Sequence, residues 1–285
     1  MKEVKIGVIG GSGVYEIDGA KVCASLDVST PFGKPSDKIK ICSVEGRDVA
    51  FLPRHGIGHR ILPQEVNYRA NIFALKKLGV KKIIAVSACG SLKNEIKPRD
   101  FVIPDQLFDR TKCRPSTFFG DGIVAHVGFA EPFCPALRKI LVSSARKLKL
   151  PVHNGGTYVC MEGPQFSTKS ESKVYRSLGF SIVGMTNIPE SKLAREAEIC
   201  YATIALATDY DVWKENEEVS VEKVVANMKF LTSNVKLLLK AAIKEISFDT
   251  DCVCESALKN AIQTEPSAIN KKTARKLGIL LKKYI

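Results

Sequence analysis

The 285-residue chain has no apolar stretch close to the roughly 20 residues that a membrane-spanning helix needs, so a helical anchor is not expected. Its N-terminus lacks the basic region, apolar block and small-residue cleavage site of a secretory signal. The expectation is a soluble, cytoplasmic protein with no membrane partner. No internal repeat and no low-complexity block is present, which argues against stacked-repeat architectures. The formal net charge is +13, yet no basic tract is interleaved with aromatics in the way that stacks single-stranded nucleic acid. The basic residues scatter over helix-like faces such as Lys139–Lys147. They read as solvated faces with mild attraction for anionic substrates, and no nucleic-acid partner is expected.

Familiar nucleotide and nucleophile motifs are also missing. Gly10-Gly11-Ser12-Gly13 fails as a dinucleotide fingerprint because Glu16 occupies the last glycine position. It has no Gly-Lys-Ser/Thr of a P-loop, and Val14 spoils a nucleophile elbow. No cluster of acidic residues calls for a metal, and His55 and His59 lack the glutamate of a zinc-protease helix, so the expected metal and cofactor set is empty. Cysteine, by contrast, is plentiful, at nine residues. Cys23, Cys42, Cys89, Cys134, Cys160 and Cys200 sit among apolar neighbours and read as small core hydrophobes. Cys252-Val-Cys254 lies in a polar segment and lacks the spacing and second pair of a zinc site; it reads as a redox pair, a cross-link or two free thiols.

What is present is a set of short apolar runs ending in small or polar residues. Val4–Ile9 runs into the glycine loop with Ser12, and Val49–Leu52 into Pro53-Arg54-His55-Gly56. Ile83–Val86 runs into Ser87-Ala88-Cys89-Gly90, Ile182-Val183 into Gly184-Met185-Thr186, and Ala202–Ala207 into Thr208-Asp209-Tyr210-Asp211. Helical spacing is found in Asn67–Leu78, Pro135–Leu148, Glu190–Glu198 and Val219–Ile246, the last with Ser220 as a candidate N-cap. This alternation predicts an α/β fold: a single domain with a central mixed, mostly parallel twisted sheet flanked by helices. The expected boundaries are a catalytic domain over 1–249 and a helical C-terminal appendage over 250–285, with short helices near Glu255–Ile262 and Lys271–Tyr284.

If the runs are parallel strands, their carboxyl ends form one edge, where ligands of open α/β sheets bind. Ser12, Ser87 and Thr186 offer hydroxyls, Arg54 a planar fork and His55 a further donor, a set suited to inorganic phosphate. Asp209 could cap a helix. It could equally accept from the N6 amino group of adenine and deliver a proton to N7, and it would oppose the oxygen of a 6-oxopurine.

The segments KIGVIGGSG, TPFGKPSD, PRHG, VNYRANIFALK, SACGSL, DQLFDRT, AEPFCP, MEGPQFST, GMTNIPE, LAREAEICYA and ATDYDVW together resemble the nucleoside phosphorylase superfamily, in its methylthioadenosine-cleaving branch. The resemblance covers about residues 4–247. It implies attack of inorganic phosphate on the sugar C1′ and departure of adenine, with methylthioribose 1-phosphate as the second product and no cofactor. It assigns phosphate contacts to Ser12, Arg54, His55, Ser87, Thr186 and the Ala88 backbone, the ribose to Met185, and the base to Phe166, Ser167, Asp209, Tyr210 and Asp211. The same resemblance implies that Asp209 is the catalytic acid at N7, that Val221 and Val224 wall the methylthio group, and that His126 reaches a neighbouring active site in a homotrimer or dimer of trimers. Ser87 stands where many relatives carry threonine, and Gln165 where they carry arginine. A phosphorylase for 6-oxopurine nucleosides or methylthioinosine is the alternative of the same fold, and a non-catalytic nucleotide- or RNA-binding module is the alternative of another class.

Overall fold

The structure, a computed structural model, describes residues 3–11, 14, 21–215, 217, 220–248 and 252–285. In chain order the elements are β1 (Ile6–Gly10), β2 (Lys21–Leu26), β3 (Ile39–Val44), β4 (Arg47–Pro53), α1 (Tyr68–Lys77), β5 (Lys82–Ser91), β6 (Phe101–Ile103), β7 (Gln106–Arg110), α2 (Pro135–Lys147), β8 (Val152–Asn154), β9 (Thr157–Met161), α3 (Lys169–Ser177), β10 (Ile182–Gly184), α4 (Asn187–Glu196), β11 (Cys200–Asp209), α5 (Val221–Glu245) and α6 (Lys271–Leu281). The strands form one 11-stranded sheet. Its centre is parallel: β4 pairs with β1, β1 with β5, and β5 with β11. The edge β2–β3–β4 is antiparallel. The mixed, mostly parallel sheet expected from the sequence is therefore present.

The central strands are apolar throughout because helices cover both of their faces. Ile83 and Ala85 turn to one side, where Ile72 and Phe73 of α1 and Leu193 and Ala194 of α4 pack. Ile84 and Val86 turn to the other, against Leu137 and Leu141 of α2 and Leu231, Val235 and Leu238 of α5. The helix signals work as the sequence suggests. The Asn67 side chain accepts from Ala70 N–H and starts α1, while the Ser220 side chain accepts from Lys223 N–H and starts α5. Thr168 and Glu171 form a reciprocal capping box at α3.

The tail departs from expectation in one respect. Instead of a helix over 255–262, it makes a short 3-10 turn, Val253–Ser256, then irregular turns and a second 3-10 turn, Pro266–Ala268, before α6. Leu258, Ala261, Leu277, Leu280 and Leu281 nevertheless join the same core as α1 and α4. Buried Glu198 fastens the segment further, accepting from Leu258 N–H at 3.2 Å and from Lys283 Nζ at 2.9 Å.

β10 enters from the opposite direction to β5, pairing antiparallel with its extended end, Ile182 opposite Ser91 and Val183 opposite Gly90. It also runs parallel to β9. The three strands crowd at Gly184, where an added Cβ would fall 1.9 Å from Tyr158 Oη and 3.2 Å from the Ala88 carbonyl oxygen. Gly184→Ala is expected to cost about 1–3 kcal/mol in thermal unfolding through overpacking. Adding Tyr158→Phe, which removes the obstructing hydroxyl, should restore part of that loss. An unchanged melting temperature for the single variant would mean that β9 and β10 sit farther apart than described.

Candidate active site

The carboxyl ends of β1, β4, β5 and β11, with the end of β10 facing them, open into a cavity of about 800 Å³. At one end lies a group of hydroxyls. Ser87 Oγ is 2.9 Å from Thr186 Oγ1 and 3.1 Å from Tyr158 Oη. All three residues are buried, and Ser87 and Thr186 line the cavity. Gly11 and Ala88 bring backbone beside them.

Arg54 lies under this group, 1% exposed. Its Nε and Nη2 donate to the two carboxylate oxygens of Glu190, each at 2.8 Å, and its Nη1 donates to the Val86 carbonyl at 2.9 Å. Burial works against the guanidinium charge, but fully buried Glu190 more than offsets this and keeps Arg54 protonated. Three of the five N–H groups of an arginine are thereby used, leaving one on each terminal nitrogen for a ligand. Tyr201 Oη, 2.8 Å from Glu190 Oε1, braces the carboxylate from behind.

His55 lines the same end. Its Nδ1 is 2.9 Å from the Ile61 carbonyl oxygen, and its ring stacks on His59 at 4.5 Å. Burial, helped by the Arg54 charge, lowers its pKa to about 4. The imidazole is thus neutral near pH 7. A carbonyl can only accept, so the proton sits on Nδ1 and Nε2 is left as an acceptor.

At the other end stand two carboxylates. Asp209 Oδ1 accepts from Asp211 N–H at 2.7 Å and Oδ2 from Thr208 Oγ1 at 2.6 Å. Burial pushes the Asp209 carboxyl upward, opposed by these two hydrogen bonds and assisted by the neighbouring Asp211 charge. Asp211 is 5% exposed, and burial raises its carboxyl too. Its Oδ2 is buried without a hydrogen-bond donor among the described residues, although the hydroxyls of Ser172 and Ser167 lie nearby. A buried acceptor without a donor costs free energy that an incoming N–H group would recover.

The flanks between the two ends are apolar. Met161, Pro164, Phe166, Val183 and Met185 form one wall, and Val224, Val225 and Met228 of α5 another. Arg114 fixes the first wall from outside. Its Nη1 donates to the carbonyls of Met185 and Ile188, each at 2.7 Å, and its Nε pairs with Glu162 at 3.3 Å.

A family model described as "Phosphorylase superfamily" matches residues 5–244. The chain belongs to the phosphorylase superfamily. A relative from Geobacter sulfurreducens, named S-methyl-5′-thioadenosine phosphorylase, is 52% identical over 285 residues, covering 99% of this chain and 100% of its own. Among solved structures, a methylthioadenosine phosphorylase sourced from an antarctic soil metagenomic library superposes with a TM-score of 0.94 at 47% identity, covering 99% of this chain and 100% of that one. The methylthioadenosine phosphorylase of Schistosoma mansoni in complex with adenine superposes with a TM-score of 0.86 at 38% identity, covering 91% of this chain and 99% of that one.

Of the residues assigned by resemblance to this superfamily, Arg54, His55, Ser87, Ala88, Phe166, Ser167, Met185, Thr186, Asp209, Asp211 and Val224 all line the one cavity. Ser12 lies outside the described residues. Tyr210, Val221 and His126 are not among the residues that line the cavity. Tyr210 packs edge-on against Trp213 at 5.7 Å. Val221 is 62% exposed on the first turn of α5, one turn short of the wall that Val224, Val225 and Met228 build. His126 is exposed, in a segment whose backbone pairs with the tail at Ala261. Sequence reasoning missed Glu190, Tyr158 and Arg114, all of which hold cavity residues in place.

Proposed function

We propose that the chain is a pentosyltransferase that cleaves S-methyl-5′-thioadenosine with inorganic phosphate, releasing adenine and 5-methylthioribose 1-phosphate. The observation that carries this reading is a spacing. Ser87 and Gly90 lie on β5, and Gly90 is the register partner of Asp209 on β11. Three strand residues span about 10 Å. That distance accommodates a phosphate, a sugar carbon and the imidazole half of a purine in line. Gly90 is needed there, since an added Cβ would fall 2.9 Å from Asp209 Oδ1.

Phosphate rests on the hydroxyls of Ser87 and Thr186 and on the two remaining Arg54 N–H groups. Because Glu190 balances Arg54 and His55 is neutral, these side chains orient the anion without cancelling its charge. The retained charge then stabilises the cation that develops at C1′ and traps it. The C1′–N9 bond breaks with its electron pair going to the base, while a phosphate oxygen bonds to C1′. Protonated Asp209 delivers its proton to N7, so adenine leaves neutral. His55 Nε2 accepts from a phosphate that carries a proton. Asp211 Oδ2 accepts from the N6 amino group and so gains the donor it lacks. Val224, Val225 and Met228 suit a methylthio group; burying an unpaired 5′-hydroxyl there would cost roughly 1–3 kcal/mol.

In this scheme the reacting site uses no metal and no cofactor, with inorganic phosphate as co-substrate. Exposed His126, remote from the cavity of its own chain, serves a neighbouring site in a homotrimer or a dimer of trimers; sedimentation tests the assembly. The described residues hold no helix long and apolar enough to cross a membrane. Nine cysteines with no disulfide between them suit a reducing compartment, and we place the protein in the cytoplasm.

Adenine release from methylthioadenosine should rise from nil to saturation as phosphate is added to dialysed protein. Release that ignores phosphate would replace phosphorolysis by hydrolysis. The acid role also sets a pH profile. A general acid works only while protonated, so kcat should fall as pH rises through the elevated Asp209 pKa. A kcat that rises there would reverse the assignment of donor and acceptor.

A further inference from the structure

Away from the cavity, four cysteines separated in sequence converge. Cys134 is the N-cap of α2, Cys200 opens β11, and Cys252 and Cys254 lie at the 3-10 turn of the tail. Their four Sγ atoms all lie within 4.8 Å of one another, and those of Cys134 and Cys252 are 3.6 Å apart. Cys134, Cys200 and Cys254 are buried and Cys252 partly so. The backbone holds them firmly: Cys134 N–H donates to the Tyr201 carbonyl at 2.8 Å and Cys200 N–H to the Lys81 carbonyl at 2.9 Å. Cys134 and Cys200, expected as small core hydrophobes, thus supply the second pair that Cys252-Val-Cys254 lacks in the sequence.

We propose that these four cysteines bind one zinc ion in a closed tetrahedral site that fastens the C-terminal tail to the core. Sulfurs about 2.3 Å from a common zinc stand about 3.8 Å apart in a tetrahedron, matching a cluster in which every pair is close. Two disulfides require only two short separations, whereas here all are short. An iron–sulfur cluster, with sulfurs on separate iron atoms, requires a wider spread. Lys82, a buried residue, lies beside the cluster, its Nζ 4.0 Å from Cys200 Sγ and 5.7 Å from the Phe248 ring centroid. The N-terminus of α2 adds its positive dipole end at Cys134.

The site is structural. Four protein ligands leave zinc no open position for substrate. Cys200 and Asp209 stand at opposite ends of β11, roughly 30 Å apart at about 3.3 Å per residue. The ion ties the start of the tail to α2 and β11.

The test is metal analysis of the full-length protein purified under reducing conditions without chelator, with thiol titration in the absence and presence of a strong zinc chelator. About one zinc per chain is expected, together with four thiols that become reactive only when the metal is displaced. Cobalt exchanged into the site should give the visible bands of a tetrahedral tetrathiolate. Cys254→Ser should lose the metal and unfold at lower temperature, while Cys23→Ser, altering an exposed thiol elsewhere, should keep it. Phosphate-dependent cleavage at low temperature should be unchanged in both. If Cys254→Ser fails to fold, the wild-type metal content and cobalt spectrum still decide. Wild-type protein without stoichiometric zinc would overturn the proposal, whether its mass without reductant shows disulfides or free thiols. The metal content, the thiol count and the cobalt spectrum do not pass through the catalysed reaction, so the proposed activity and the metal site can fail separately.

Discussion

Asp209→Asn is expected to slow adenine release from methylthioadenosine by about 10²–10⁴-fold, the usual contribution of a positioned general acid. The carboxamide keeps the size of the side chain and can still accept from Asp211 N–H, so cavity and fold should survive. What it lacks is a transferable proton, and adenine would then have to leave as its anion. The loss should fall on kcat, with little change in KM. The same substitution places an amide donor opposite the purine edge, where Asp209 presents only acceptor oxygens or an acidic O–H. Activity toward 5′-methylthioinosine relative to methylthioadenosine should therefore rise. Steady-state kinetics on both nucleosides checks the two effects together. Wild-type kcat on methylthioadenosine would remove Asp209 from the reaction.

Glu190→Gln is expected to produce the largest loss of stability of any single isosteric change near the site. Glu190 is fully buried and holds Arg54 through two 2.8 Å contacts. Removing one partner of a buried pair leaves an uncompensated charge and costs about 3–5 kcal/mol. The unpaired guanidinium would then face the cavity with its full charge. Inorganic phosphate should bind the variant and recover part of the lost melting temperature, since a ligand that binds only the folded state stabilises it. Thermal unfolding with and without phosphate measures both quantities. A variant as stable as wild type would show that Arg54 does not depend on Glu190 for its charge. Arg54→Ala follows the same logic: it should raise the KM for phosphate and also destabilise the chain, because it strands Glu190.

Much of the fold and site was legible in the sequence because both depend on local pattern. A strand buried on two faces must be an unbroken apolar run, and the polar residues at which such runs stop must lie at the sheet edge. Arg54, Ser87, Thr186 and Asp209 were found in this way. Glu190 was not, because a glutamate in the first turn of a helix after Pro189 looks like a solvated residue suited to the helix dipole. Only the packing of α4 against the sheet below Arg54 buries it. Tyr158 sits within an apolar strand and looks like core until β10 brings Thr186 and Ser87 to its hydroxyl. Tyr210 and Val221 lie off the cavity wall, the first between the lining carboxylates Asp209 and Asp211 and the second one helical turn before Val224. The four cysteines were invisible as a set because 65 residues separate Cys134 from Cys200 and the tail returns to them only through tertiary packing.

The most direct measurement is a crystal structure of the protein with inorganic phosphate and adenine bound together. The expected result places phosphate oxygens within hydrogen-bond distance of Ser87 Oγ, Thr186 Oγ1 and the Arg54 terminal nitrogens, and adenine N7 against the Asp209 carboxyl with N6 toward Asp211. Phosphate held elsewhere, or a base whose N7 faces away from Asp209, would contradict a single cavity that joins the nucleophile to the proton donor.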